Sequence, residues 1–209
     1  VAKVVTFANV KGGSGKSTLC INMAAILVRA GYSVAIIDAD QQKCSQDWIT
    51  GTKDKLLSRV EIIEPVELKV AEDVEVDFLL IDTQGSLTKE MAQFLFQSSL
   101  IITPCRASRD DIVGQGWIEV FLKQSNQNIK KAPILTVLNG VNKRSSILSH
   151  VIEQLKEDGV QVAETCISQR VCFAETNVNK ISVIGYNKHA TKEIVDLTNE
   201  ALNLIKSEV

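Results

Sequence analysis

The sequence predicts an α/β fold in which a mostly parallel, twisted sheet is flanked by helices on both faces. Three observations carry this. Unbroken apolar runs recur at residues 4–8, 34–37, 78–81, 100–104 and 134–138. Segments of helical periodicity separate most of them. The first run opens into a glycine-rich loop, and the second and third end on Asp38 and Asp82. A strand buried on both faces reads as a continuous apolar run rather than an alternation, and parallel strands need a crossover between them. Ligands of such sheets bind at the carboxyl ends of the strands, which is where the loop and both aspartates fall.

The elements follow in order. Residues 4–8 form the first strand, and residues 17–30 form a helix that stops at Gly31, a C-terminal signal. Residues 34–37 are a short buried strand. Residues 46–57 read as polar and helical, and 60–63 as an edge strand. Residues 78–81 are a buried strand, 89–97 a helix, 100–104 a strand and 110–124 a helix. Residues 134–138 form a strand, and 146–158 form a helix stopping at Gly159. Residues 162–167 are expected to be the last strand and 191–207 the closing helix. Residues 1–209 read as a single domain, with no repeat, low-complexity segment or linker, and with enough chain to bury a core.

Composition excludes several classes. Lys and Arg number 23 against 25 Asp and Glu, for a net charge of -2, so binding to nucleic acid would need a local basic patch. No apolar stretch approaches the roughly 20 residues that span a bilayer. The first strand starts close to residue 1, so neither a signal peptide nor an N-terminal helix-turn-helix domain is expected. Cys20, Cys44, Cys105, Cys166 and Cys172 form no C-x-x-C pair and read as reduced cytosolic thiols. His150 and His189 lie in polar surroundings and read as surface residues.

The chemistry concentrates in Asn9-Val10-Lys11-Gly12-Gly13-Ser14-Gly15-Lys16-Ser17-Thr18. This is a phosphate-binding loop, so the fold class narrows to a P-loop NTPase. Glycines let backbone N–H groups close around an oxyanion, and the helix that follows points its positive end at the same place. Lys16 adds a charge for the β- and γ-phosphates of a nucleotide, and the Ser17 hydroxyl is suited to ligate Mg²⁺. Thr18 adds a hydroxyl towards the α-phosphate. Asp82, closing a strong apolar strand in Asp82-Thr83-Gln84-Gly85, is the carboxylate expected to hold Mg²⁺ through water. Gly85 gives that turn the freedom of a γ-phosphate switch. The loop departs from the ordinary G-x-x-x-x-G-K-S/T pattern: Val10 stands at the first glycine position, and a second lysine, Lys11, lies near its start.

The K-G-G-x-G-K-S/T pattern of Lys11 to Ser17 resembles the deviant Walker A ATPases, the ParA and MinD family. Its relatives include the nitrogenase iron protein, arsenical pump ATPases and the dethiobiotin and cobyrinate synthetases. The resemblance implies that Lys11 reaches the ATP of a partner subunit in a homodimer. Asp38-Ala39-Asp40-Gln41-Gln42 matches the family's D-x-D-P-Q, with Gln41 in place of proline. It implies that Asp38 supports Mg²⁺ through water and that Asp40 orients the attacking water. Asn139 sits where relatives touch adenine, although the arginine that usually follows is Gly140 here. Ile167 to Glu175 resembles the I-P-x-R-x-x-F-x-E segment of ParA proteins, with Ser168 for proline.

Within the family, no cysteine matches the cluster ligands of the iron protein, and residues 201–209 lack the cationic face of a membrane helix. The short ParA class without a helix-turn-helix domain fits best. It implies a cytoplasmic, nucleoid-associated ATPase whose ATP-bound dimer holds nonspecific DNA and is stimulated by a ParB-like adaptor. Candidate DNA contacts are Lys143, Arg144, Arg170, Lys188 and Lys192, with Lys130, Lys131 and Lys180 also considered. The alternative is a metabolic ligase of the same fold, of the cobyrinate amide synthetase or dethiobiotin synthetase kind. A nucleotide-binding scaffold without turnover is a third reading.

Overall fold

The computed structural model describes residues 1–64, 74–86, 88–108, 118, 120–122 and 132–207. The strands are β1 (Lys3–Phe7), β2 (Val34–Asp38), β3 (Glu61–Ile63), β4 (Phe78–Asp82), β5 (Leu100–Cys105), β6 (Ile134–Val141) and β7 (Ile167–Ser168). They form one sheet in the order β3-β2-β4-β1-β5-β6-β7. Every pairing between these strands is parallel. β1 lies between β4 and β5, so the chain winds to one side of β1 and then to the other. The loop after β1 therefore opens at the switch point of the sheet, where an α/β fold leaves a crevice.

The helices bounded among the described residues are α1 (Lys16–Arg29), α2 (Cys44–Thr50), α3 (Lys89–Gln97), α4 (Ser146–Glu157), α5 (Val171–Val178) and α6 (Lys188–Ser207). Alternation along each strand sends side chains to two cores. Val5, Phe7, Ile36 and Leu80 join α1 and α6 in one cluster. Val4, Ala35, Ile37, Leu79 and Ile81 join Phe94 of α3 on the other face. α1 is buried at eleven of its 14 residues. A helix with so little polar face is held from all sides, here by the sheet, α2 and α6. The start of α1 is thus fixed relative to the strand ends, which the site requires.

The chain departs from its sequence-based expectation in the second half and around α2. The helix expected over 46–57 is α2 alone, followed by a 3-10 turn (Leu57–Arg59). Gly51 caps α2, and Asp54 then turns the chain by accepting from the backbone N–H of Leu56 at 2.8 Å. The strand expected over 162–167 is reduced to a bridge between Thr136 and Val162 and the two residues of β7. Between them the Glu164 and Thr165 N–H groups donate to the Glu200 carboxylate instead of to a neighbouring strand. α5 was read only as a motif segment. The closing helix starts at Lys188, three residues before the expected 191, because the Asn187 side chain accepts from His189 N and Ala190 N. Of the helix expected over 110–124, residues 118 and 120–122 are helical, and the rest lies outside the described residues.

Candidate nucleotide site

The loop from Ala8 to Gly15 runs into the start of α1. Gly15 is the N-cap of α1, at φ 96°, and no side chain caps the helix. The first N–H groups of a helix have no partner within it, so without a cap they stay available for an anion. Gly15 cannot carry a side chain: its φ lies in the left-handed region, and a Cβ would collide with the Asn139 amide. Asn139 Nδ2 donates to Ser14 O at 2.7 Å. The residue expected to contact adenine thus braces the loop from β6.

The start of the loop is pinned by Asn9, whose Nδ2 donates to Pro104 O at 2.5 Å while its Oδ1 accepts from Lys11 N at 2.8 Å. Arg106, at the end of β5, donates to Gly13 O at 3.0 Å. The sequence places Asn9 at the start of the loop without assigning it a role, and it does not point to Arg106. Asn9 had a signal, being a polar residue between a buried strand and the loop; Arg106 lies 93 positions away from its partner and had none.

Lys16 is buried at the first position of α1, and its Nζ donates to Lys11 O at 3.3 Å. Burial lowers its pKa, opposed by the pull of Asp82 and Asp40. A buried ammonium with one carbonyl partner among the described residues is under-satisfied, and phosphate oxygens supply what it lacks. Lys11 is half-buried beside it.

The acidic residues end two strands on one side of β1: Asp82 on β4, its neighbour, and Asp38 on β2, one strand further out. Asp38 and Asp82 are in register on β2 and β4. Burial raises the Asp82 carboxyl to about 6 despite hydrogen bonding from Ser17 and Ser45 and attraction to Lys16. The Ser45 hydroxyl donates to Asp82 Oδ2 at 2.6 Å, while Oδ1 has no hydrogen-bond partner among the described residues. Asp38 spends both oxygens on its own loop, accepting from Asp40 N at 3.0 Å and Gln46 N at 2.9 Å. Lys43 closes the same loop by donating to Asp38 O at 2.7 Å. Asp40 stands at the cleft wall, its Oδ1 accepting from Gln42 N at 2.9 Å.

Facing these carboxylates, the Asp82 turn lies against the phosphate loop. Thr83 N and Oγ1 both donate to Phe7 O, at 3.2 and 2.8 Å. A Cβ on Gly85 would come within 2.8 Å of Gly12 N, so only glycine fits there without movement. The cleft between has a volume of about 640 Å³ and is lined by Gly12 to Thr18 in part, Asp40 to Gln42, Gln84 to Ser86 and Asn177 of α5. Of the expected site residues, Gly12, Gly13, Gly15, Lys16, Ser17, Thr18 and Asp40 line it, whereas Lys11, Ser14, Asp38, Asp82 and Asn139 do not.

The candidate DNA cations do not gather into one free face. Lys143 and Arg170 both pair with Glu193 Oε1, at 2.8 and 3.2 Å. Lys192 pairs with Asp196 at 2.6 Å and Lys180 with Asp47 at 2.8 Å. Arg144 and Lys188 are exposed, and Lys130 and Lys131 lie outside the described residues. His150 and His189 are exposed, as expected.

A parallel sheet with an uncapped helix start and a buried lysine at its switch point defines a phosphate-loop nucleotide-binding protein. The profile of the CobQ/CobB/MinD/ParA nucleotide-binding domain matches residues 5–183, and the chain belongs to that family. It is 26% identical to the maintenance of carboxysome distribution protein A of Halothiobacillus neapolitanus over 211 residues, covering 96% of this chain and 97% of that one. It is 22% identical to the protein ParA of Rhizobium radiobacter, over 90% of this chain and 86% of that one. Its fold is similar to that of a plasmid partition protein of Borrelia burgdorferi B31 bound to AMPPNP, with a TM-score of 0.79 at 20% identity and full coverage of both chains. These relatives place the chain among partitioning and positioning proteins of the ParA/MinD type, which are P-loop NTPases.

Proposed function

We propose that this chain, a single domain over residues 1–209, is an ATP-driven partitioning or positioning switch. ATP and Mg²⁺ assemble a homodimer that holds nonspecific DNA. Slow hydrolysis, accelerated by a ParB-like adaptor, releases it, and the protein works in the cytoplasm on the nucleoid. The observation that carries the reading is the uncapped start of α1 at Gly15 with Lys16 buried beside it, next to the strand that ends on Asp82. Names such as carboxysome distribution and plasmid partition among its relatives support a positioning role. Among the described residues, no helix is long and apolar enough to cross a membrane.

In this reading Gly12 to Thr18 bind the phosphates, and Lys11 meets the partner's nucleotide across the dimer. The donor set fits a hard cation: a hydroxyl at Ser17 and a buried carboxylate oxygen of Asp82 that has no hydrogen-bond partner among the described residues. Ser17 would ligate Mg²⁺, with Asp82 and Asp38 holding its waters, and the ion would neutralise charge developing on the phosphates. Asp40 orients the attacking water. Asn139 steadies the loop against the base side of the nucleotide.

The test is binding to arbitrary-sequence DNA with ATP, with ADP and without nucleotide, at two salt concentrations. Binding should appear only with ATP and weaken as salt rises, because phosphate contacts release counterions. Equal binding in all three states, or none in any, would reject the DNA-carrier switch. Formation of an acyl phosphate or amide from a small acid would favour the ligase alternative.

A further inference from the structure

Asp40 lines the cleft, and so does an amide, Gln84, for which the mechanism above has no use. Gln84 lines the phosphate cleft together with Lys16 and Ser17. Its backbone is fixed on both sides: Thr83 is bonded twice to Phe7 O of β1, and Gly85 is pressed on Gly12 of the phosphate loop. Its side-chain amide makes no hydrogen bond among the described residues. It also lines a second cavity of about 330 Å³, shared with Gln41, Met91 and Phe94, so the side chain has room to move while its backbone stays in place. An amide is suited to this position because it presents a donor and an acceptor together without a charge to repel phosphate. A carboxylate alone, such as Asp40, provides only acceptors.

Building on the ATPase reading, we infer that Gln84 orients the attacking water together with Asp40. Its Nε2 donates to a γ-phosphate oxygen, and its Oε1 accepts one hydrogen of the water. Asp40 accepts the other. The water oxygen bonds to the γ-phosphorus, and the bond to the β–γ bridging oxygen breaks with its electron pair leaving on ADP. The water proton passes to Asp40 and from there to solvent, leaving inorganic phosphate. Switch glutamines orient water in this way in other phosphate-loop enzymes, where chemistry is mostly a matter of positioning.

The experiment is single-turnover ATP hydrolysis by the full chain, alongside the affinity for a non-hydrolysable ATP analogue, in wild type, Gln84→Leu and Gln84→Ala. Both variants should hydrolyse roughly 10²-fold more slowly, as when one transition-state hydrogen bond is removed. Analogue affinity should stay within about twofold, since the ground state gains little from the amide. Unchanged turnover in both variants would overturn the assignment. So would a loss of analogue affinity that matches the loss of rate, because Gln84 would then only bind or support the loop. A wild-type protein that binds ATP yet never hydrolyses it would sink the ATPase reading itself, and the role of Gln84 with it.

Discussion

Lys16 and Gly15 occupy neighbouring positions but matter for opposite reasons. Lys16 brings a charge that burial makes costly until phosphate arrives. Lys16→Gln removes a charge-assisted contact worth about 1.5–3 kcal/mol, and more where several oxygens share it. ATP affinity should therefore fall by roughly 10²-fold or beyond, read by titration with a fluorescent nucleotide. Gly15 matters for what it lacks. Gly15→Ala forces a Cβ into the Asn139 amide at a φ of 96°, so the loop must deform. The same titration should show binding lost while the melting temperature falls by only a few degrees. Asp40→Ala should retain ATP and block turnover, because Asp40 lines the cleft without holding the loop's anion donors. Normal turnover in that variant would reject its assigned role.

Elements are tied together by a few buried polar residues, and Glu193 of α6 is the clearest. It accepts from Ser168 N at 3.0 Å and Ser168 Oγ at 2.6 Å and pairs with Lys143 and Arg170. α6 is thereby fastened to β7 and to the end of β6. Burial by itself would raise this carboxyl, but hydrogen bonds from Lys143, Ser168 and Arg170 outweigh it and hold it at about 2. A lowered carboxyl means that the native state binds fewer protons than the unfolded chain. The stabilisation is then complete above the ordinary value of 4.5 and is lost as pH falls towards about 2. Glu193→Gln should lower stability at neutral pH by about 1–3 kcal/mol and flatten the acid limb of the stability curve, measured by denaturant titration from pH 3 to pH 7. An unchanged acid limb would show that Glu193 is not the group responsible. The same pairing explains why Lys143 and Arg170, read as candidate DNA contacts, are committed to a carboxylate.

At the scale of the molecule, the site lies open at one end of the sheet. Dimerisation on ATP is the expectation to test. Light scattering on a sizing column should report a monomer without nucleotide and a dimer with ATP in Asp40→Ala, where hydrolysis cannot dissolve it. Lys11→Ala should bind ATP in the monomer yet fail to dimerise, since the Lys16 position is intact. A dimer that forms equally well in Lys11→Ala would place the partner contact elsewhere.

The sequence by itself determined the parallel sheet, its buried strands and the loop, because those depend on local signals. These are unbroken apolar runs, glycine at positions of positive φ, and carboxylates at strand ends. The Lys11 to Thr18 loop, Asp38 and Asp82 were legible for that reason. Tertiary structure alone decided the pairing of Asn139 with Ser14, Arg106 with Gly13, Ser45 with Asp82 and Glu193 with its two cations. It also decided that the strand expected over 162–167 would be cut short by Glu200. Each of these joins residues distant in the chain, and no local propensity records which distant polar group will satisfy a buried one; that choice is made only when the sheet closes and water is excluded.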